Sequence, residues 1–295
     1  MTFASSAGGA PPSLTIGLAV YNNADTLHRA MESLLAQSYS DFTLLVSDDR
    51  STDASVAIAR SYCERDRRVQ VFAQPINRNY GNFRWLVEQA STHFFMFAAA
   101  DDYWDSRFIE ACIAGLQRNP HAVLAVPRVS FGSVAERLPG AGTYPLVRSP
   151  QQNLARYLRG PMDNSRMYGV FLTSAAKRAF PRKDHHAYDW TFCAASLRDG
   201  THIEISDVLM VREATPGDRY VTYVDRDNHR SIDRLFPLFP MMRALVFEKR
   251  IPLSLSVLRS LLRINLEHHI AALNYRRRLV GRLTAPIASI LLRYL

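Results

Sequence analysis

Leu14-Thr15-Ile16-Gly17-Leu18-Ala19-Val20 is a near-continuous apolar run that stops at Tyr21-Asn22-Asn23-Ala24-Asp25. The run predicts a strand buried on both faces, and the polar segment a turn with Asp25 capping the next helix. Leu27, Ala30, Met31, Leu34 and Leu35 follow at helical spacing. The alternation then repeats. Phe42 to Ser47 predicts a second strand, ending on Asp48-Asp49-Arg50-Ser51-Thr52-Asp53, with Asp53 as N-cap of a second helix through Tyr62. Val69 to Ala73 predicts a third strand, 74–81 a loop, and the residues through Trp85, Leu86 and Ala90 a third helix. The fourth strand is Phe94-Phe95-Met96-Phe97, which narrows to Ala98-Ala99-Ala100 and ends on Asp101-Asp102.

Strands and helices alternating at this spacing imply an α/β fold, a Rossmann-like, mostly parallel sheet with helices on both faces. Ligands on such sheets bind beyond the carboxyl ends of the strands. Those ends carry Tyr21 and Asn22, Asp48 and Asp49, the amide-rich residues 77–82, and Asp101 with Asp102. Adjacent carboxylates repel, so the Asp101-Asp102 pair suits either a helix cap or a hydrated Mg²⁺ or Mn²⁺ carrying a diphosphate. No Gly-x-Gly-x-x-Gly follows the first strand and no Gly-Lys-Ser/Thr occurs, which argues against dinucleotide and P-loop chemistry. Gly140-Ala141-Gly142 reads as a turn.

Ala19-Val20-Tyr21-Asn22, Asp48-Asp49-Arg50-Ser51-Thr52-Asp53 and Asp101-Asp102, in that order and spacing, resemble family 2 glycosyltransferases of the GT-A fold. Gln37-Ser38-Tyr39-Ser40-Asp41-Phe42 looks like that family's link between first helix and second strand. The likeness covers roughly residues 13–215. It implies an inverting, metal-assisted transfer from a nucleotide-diphosphate sugar, with UDP as the expected nucleotide. Tyr21 would stack on the base, Asp49 would accept from a base N–H, and Ala19 would offer its backbone, with Asn22 beside them. Asp102 would ligate Mn²⁺ or Mg²⁺, and Asp101 would face the ribose or donor sugar. Two departures stand out: Ala99 replaces a further Asp of many members, and only Asn82 and Arg84 stand near the position of a phosphate-binding Arg.

In the second half, Val123 to Val129 predicts a strand, 131–150 a Gly/Pro-rich loop, and Gln151 to Arg159 a short helix. Residues 167–174 look like the family's acceptor-side segment. In His185-His186-Ala187-Tyr188-Asp189-Trp190, Asp189 opens a helix after a loop, where the family carries its general base; the plain alternative is an N-cap with Trp190 in the core. The two histidines are adjacent, not at metal-ligand spacing, and read as surface residues or acceptor contacts. Val208 to Arg212 predicts a last strand, with Arg212 a candidate phosphate contact.

Composition sharpens this picture at the C-terminus. The chain has 295 residues and a net charge of +9. From Arg226 onward there are 13 Arg/Lys against 4 Asp/Glu, leaving the first 225 residues with 23 of each sign. The expected layout is therefore a leader over 1–12, a catalytic domain over 13–215, and a helical, basic extension over 216–295. That extension suits helices packed on the domain, a membrane surface, or a partner helix. Nucleic acid is not expected, because no aromatics interleave the basic cluster. A glycan or lipid-linked acceptor and a homo-oligomer are the other partners under consideration. Three widely spaced cysteines suit a reducing compartment, so the expected location is the cytoplasm or the inner face of the membrane. A degenerate domain that binds nucleotide or glycan without turnover is the competing function. The Gln-x-x-Arg-Trp signature of processive synthases is missing.

Overall fold

The computed structural model describes residues 13–132, 138–213, 233 and 236–276. The leader and the arginines from 277 to 282 lie outside them. The first half alternates as expected: β1 (Leu14–Val20), α1 (Ala24–Leu35), β2 (Phe42–Asp48), α2 (Ser55–Arg65), β3 (Val69–Ala73), α3 (Tyr80–Gln89) and β4 (Phe94–Ala99). Its strands lie side by side in the order β3-β2-β1-β4, all parallel. All four carboxyl ends therefore open on one edge.

The second half comprises β5 (Tyr103–Trp104), α4 (Phe108–Arg118), β6 (Ala122–Phe131), β7 (Leu138–Pro139) and α5 (Pro150–Arg159), followed by a 3₁₀ turn over Ser165–Tyr168. Then come β8 (Val170–Leu172), α6 (Thr173–Ala179), α7 (Tyr188–Ser196) and β9 (Thr201–Arg212). The short β8 joins the halves, antiparallel to β4 on one side and to β6 on the other. β6 and β9 run parallel, and β5 closes the far edge antiparallel to β9. The strand expected at Val208 is the end of the longer β9, whose Thr201–Asp207 portion is half-exposed and mixes charged with apolar positions. Such a portion lacks the continuous apolar run that marks a buried strand.

Side-chain alternation along β4 divides the core. Phe94, Met96 and Ala98 pack with α1, α2 and α4 on one face, while Phe95 and Phe97 pack with α3, α5, α6 and α7 on the other. The second face also receives the C-terminal region, α8 (Phe239–Arg243), a π-turn over Ala244–Glu248, and α9 (Leu255–Arg276). Leu238, Met241, Leu245, Val257, Leu261 and Ile264 are buried there. Lys249 fixes the junction: its ammonium donates to the carbonyls of Arg178 and Phe180 at the end of α6 and pairs with Glu248. A cation at a helix C-terminus satisfies carbonyls that the helix leaves open.

Candidate active site

The edge at the carboxyl ends of β1, β2 and β3 is built from loops that brace one another. Asn22 and Asn79 both have positive φ, which asparagine tolerates better than most residues. Asn22 Oδ1 accepts from Thr52 N at 2.8 Å, tying the β1 loop to the β2 loop. Asp48 Oδ2 accepts from Ser51 N and so closes its own loop. Asp53 does not serve as the N-cap itself. One oxygen accepts from Ser55 N and the other from Ala24 N, so it fastens the starts of α2 and α1 together. Asp25 makes no cap; it stands in the first turn of α1.

Asp49 is buried, and its two oxygens accept from Arg78 N (2.6 Å) and Asn79 N (2.9 Å). Burial raises its pKa while those two amides oppose the rise. Each oxygen keeps a second lone pair for a ligand N–H. Tyr21 is 50% exposed on the rim above it, and Ala19 lies half-buried between Ser47 and Ala99 in the parallel ladder. Asn82 and Arg84 have other tasks. Asn82 is buried with both ends of its amide on Ser47. Arg84 donates to Arg182 O and pairs with Asp184, holding α3 to the loop before α7.

After Asp101-Asp102 the chain crosses to the far edge of the sheet. There Tyr103 pairs with Val211 in antiparallel register, and one step further that register sets Asp102 opposite Arg212. Asp102 is 3% exposed, its Oδ1 accepts from Glu213 N, and its Oδ2 lies 3.6 Å from Arg212 Nε without a hydrogen bond. Burial pushes its pKa up to about 7, against Arg212 and with help from Asp101. The carbonyl of Asp101 is held by Arg29.

Arg212 reaches past Asp102 into a cavity of about 260 Å³, also lined by Tyr168, Asp163, Asn164, His186 and Asp189. Asp189 lies in the first turn of α7, after Ala187 in a strained left-handed conformation. Its Oδ2 accepts from Asn164 Nδ2 at 2.9 Å, and Asn164 Oδ1 accepts from Tyr157 OH of α5 at 2.7 Å. Burial raises the pKa of Asp189, while the Asn164 amide, the Trp190 backbone and Arg212 favour its charged form. Asp163 carries the supporting structure. Its side chain accepts from Ala141 N, Gly142 N, Ser165 N and Ser165 Oγ, and its carbonyl accepts from Arg212. A Cβ on Gly142 would stand 2.1 Å from that carboxylate, so the turn needs glycine there to close on it.

His185 and His186 are both buried, which corrects the surface expectation. His185 braces α7 through Thr191 Oγ1, and only His186 lines the cavity. Asn164, Asp163 and Tyr157 went unnoticed in the sequence. Their one signal is an Asp-Asn-Ser segment, and such segments are ordinary turn chemistry.

Residues 15–187 match the family described as Glycosyl transferase family 2. The chain belongs to that family. Among similar family members is an uncharacterized glycosyltransferase of Haemophilus influenzae, 33% identical over 121 residues, covering 41% of this chain and 48% of the relative. Another is the GalNAc(5)-diNAcBac-PP-undecaprenol beta-1,3-glucosyltransferase of Campylobacter jejuni, 30% identical over 96 residues, covering 31% of this chain and 30% of the relative. The chain thus spans half or less of the length of these relatives. Solved structures extend the likeness across the fold. TarS 1-349 of S. aureus in complex with UDP has a TM-score of 0.57 at 16% identity, covering 94% of this chain and 88% of that one. Mannosyltransferase PcManGT of Pyrobaculum calidifontis, in complex with GDP-Man and Mn²⁺, has a TM-score of 0.51 at 15% identity, covering 96% and 81%. The glycosyltransferase fold here is GT-A.

Whether this family site suits a metal is decided by its donors. Among the described residues, no group of three or more His, Cys, Asp or Glu side chains is placed to hold an ion. The Asp102 oxygen that lacks a hydrogen bond is the available hard ligand, with Asp101 beside it. One or two carboxylates completed by phosphate oxygens and water are an ordinary arrangement for Mg²⁺. Asp101 and Asp102 fit a divalent metal of that kind.

Proposed function

We propose that the protein is an inverting glycosyltransferase that moves a sugar from a nucleotide-diphosphate donor, with UDP the expected nucleotide, to an acceptor hydroxyl in glycan synthesis. The observation that carries this reading is the cavity in which Asp189, oriented by Asn164, shares a wall with the Arg212 that touches Asp102. Tyr21 and Asp49 would hold the base on the opposite loops, one by stacking and one by accepting a ring N–H. Asp102, with Asp101, would hold the divalent metal, which when bound neutralises charge on the diphosphate.

Asp189 takes the proton of the acceptor hydroxyl as its oxygen bonds to the anomeric carbon. The bond from that carbon to the diphosphate oxygen breaks on the far side, and its electron pair leaves with the phosphate. A carboxylate with a raised pKa is a stronger base than an exposed one, provided it stays ionised. Asn164 and Arg212 favour that ionised form. Arg212 also offers a fixed cation toward the leaving charge. The relatives' names support a sugar donor and a lipid-diphosphate-linked acceptor as the substrates to try first.

The test is a panel of nucleotide sugars measured for binding by calorimetry with and without Mn²⁺ or Mg²⁺. We expect one donor to bind in a metal-dependent manner and Asp102→Asn to abolish that dependence. The competing reading, a domain without turnover, draws on Ala99 and on the small carboxylate count. Tight metal-independent binding with no sugar transfer would select it.

A further inference from the structure

α5 and α9 pack against each other, joined by Ser260 Oγ donating to Ala155 O. Two clefts lie along this junction. Arg148, Arg156, Arg159 and Ser256 line one of about 510 Å³. Arg159, Ser256, Arg259 and Arg263 line its neighbour of about 300 Å³. Neither stretch 147–162 nor stretch 250–266 contains an Asp or Glu. Arg263 pairs with Glu267, but Arg148, Arg156, Arg159 and Arg259 form no ion pair with any carboxylate of the described residues.

The outer side of α9 adds an apolar component. Its buried stripe is Val257, Ser260, Leu261 and Ile264. On the turns between them Leu255 is 76% exposed, and Leu258 and Leu262 are each 43% exposed, interleaved with Arg259 and Arg263. Three exposed leucines along one helix, beside an Arg259 that has no ion pair among the described residues, make the kind of apolar patch that marks an interaction surface. Leucine and arginine at spacings of three and four on one helix face match the interface of an acidic lipid layer, which takes apolar chains below and cations at its headgroups.

We propose that the α5–α9 face is a docking surface for a bilayer rich in anionic phospholipid. The charge selects acidic headgroups, and the leucines of α9 enter between them. α5 is also the helix whose Tyr157 holds Asn164, and Trp190, next to Asp189, packs on His268 of α9. Docking therefore sets the acceptor side of the cavity close to the lipid. The proposal stands on surface chemistry alone and does not need the transfer reaction.

The test is sedimentation of the full chain with vesicles of phosphatidylglycerol and phosphatidylcholine mixed, against vesicles of phosphatidylcholine alone. We expect retention only with phosphatidylglycerol. Arg148→Gln, Arg159→Gln and Arg259→Gln together should lower partitioning on the order of a hundredfold, at about one kcal/mol per basic residue. Leu258→Ser with Leu262→Ser should also lower it, and more weakly, at an unchanged melting temperature. Equal retention by both vesicle types would overturn the proposal. So would loss of retention on replacing Arg276, Arg277, Arg278 and Arg282 while the triple variant binds like wild type. Binding of glycerol phosphate in solution without vesicle retention would do the same.

Discussion

The two sides of the active site are built by different means. On the proposed nucleotide side the residues at the ends of the parallel strands β1 and β2 take their supporting bonds from the next loop along: Asn22 to Thr52, Asp49 to Arg78 and Asn79. On the acceptor side the supports come from distant segments. Asp189 relies on Asn164 and through it on Tyr157, while Arg212 relies on Asp163, itself wrapped by the 140–142 turn. The first side is a product of sheet topology; the second is a polar network assembled across α5, the 3₁₀ turn, α7 and β9. Networks of buried polar groups in low dielectric are strongly interdependent, so the two sides should respond differently to single substitutions.

Among the supporting residues, the largest contrast is expected at Asn164. Asn164→Ala removes the donor that favours ionised Asp189, so transfer should fall about tenfold to a hundredfold with donor affinity unchanged. Because the lost bond stabilised the carboxylate, the pKa of Asp189 should rise and the acid limb of the pH–rate profile should move to higher pH. A rate loss with no movement of that limb would reduce Asn164 to a packing role.

Asn82→Ala probes the other side. Its amide is spent on Ser47 between α3 and β2, so the change should cost about 1–3 kcal/mol of stability, read as a lowered melting temperature. A loss of donor affinity at unchanged melting temperature would instead return Asn82 to the ligand.

The smallest effect lies beneath the acceptor side. His202 is buried between Ser196 Oγ and the Arg166 guanidinium. Burial, then Arg166, holds its pKa well below the ordinary 6.5. The folded state therefore keeps it neutral while the unfolded chain protonates it. Its contribution is intact above about pH 6.5 and is lost as pH falls below that value, by at most about 1.4 kcal/mol per pH unit. Melting temperatures between pH 7 and 5 should decline in wild type and decline less in His202→Gln; equal slopes would show that His202 is not the group responsible.

This contrast also accounts for what could be read in the sequence. β1, β2 and β4 announce themselves as apolar runs ended by Tyr21, Asp48-Asp49 and Asp101-Asp102, because a parallel strand buried on both faces leaves little freedom in composition. β9 announces itself only from Val208 onward, since the Thr201–Asp207 portion is half-exposed. Asn164, Asp163 and the approach of Arg212 to Asp102 are legible only in three dimensions. Their pairing follows from β5 crossing to β9 and from a glycine turn closing on a carboxylate, and neither event leaves a periodic mark. Asn82 and Arg84 illustrate the converse. Their positions along the chain suited a phosphate, but Ser47 and Asp184 had already claimed their side chains.

Asp189 as the general base is the proposed role on which the rest of the site depends. It is tested most directly by Asp189→Asn, with donor affinity measured by calorimetry and sugar transfer measured at saturating donor and acceptor. The substitution should leave wild-type donor affinity and reduce transfer about a hundredfold to ten-thousandfold. Transfer at the wild-type rate in Asp189→Asn would contradict it.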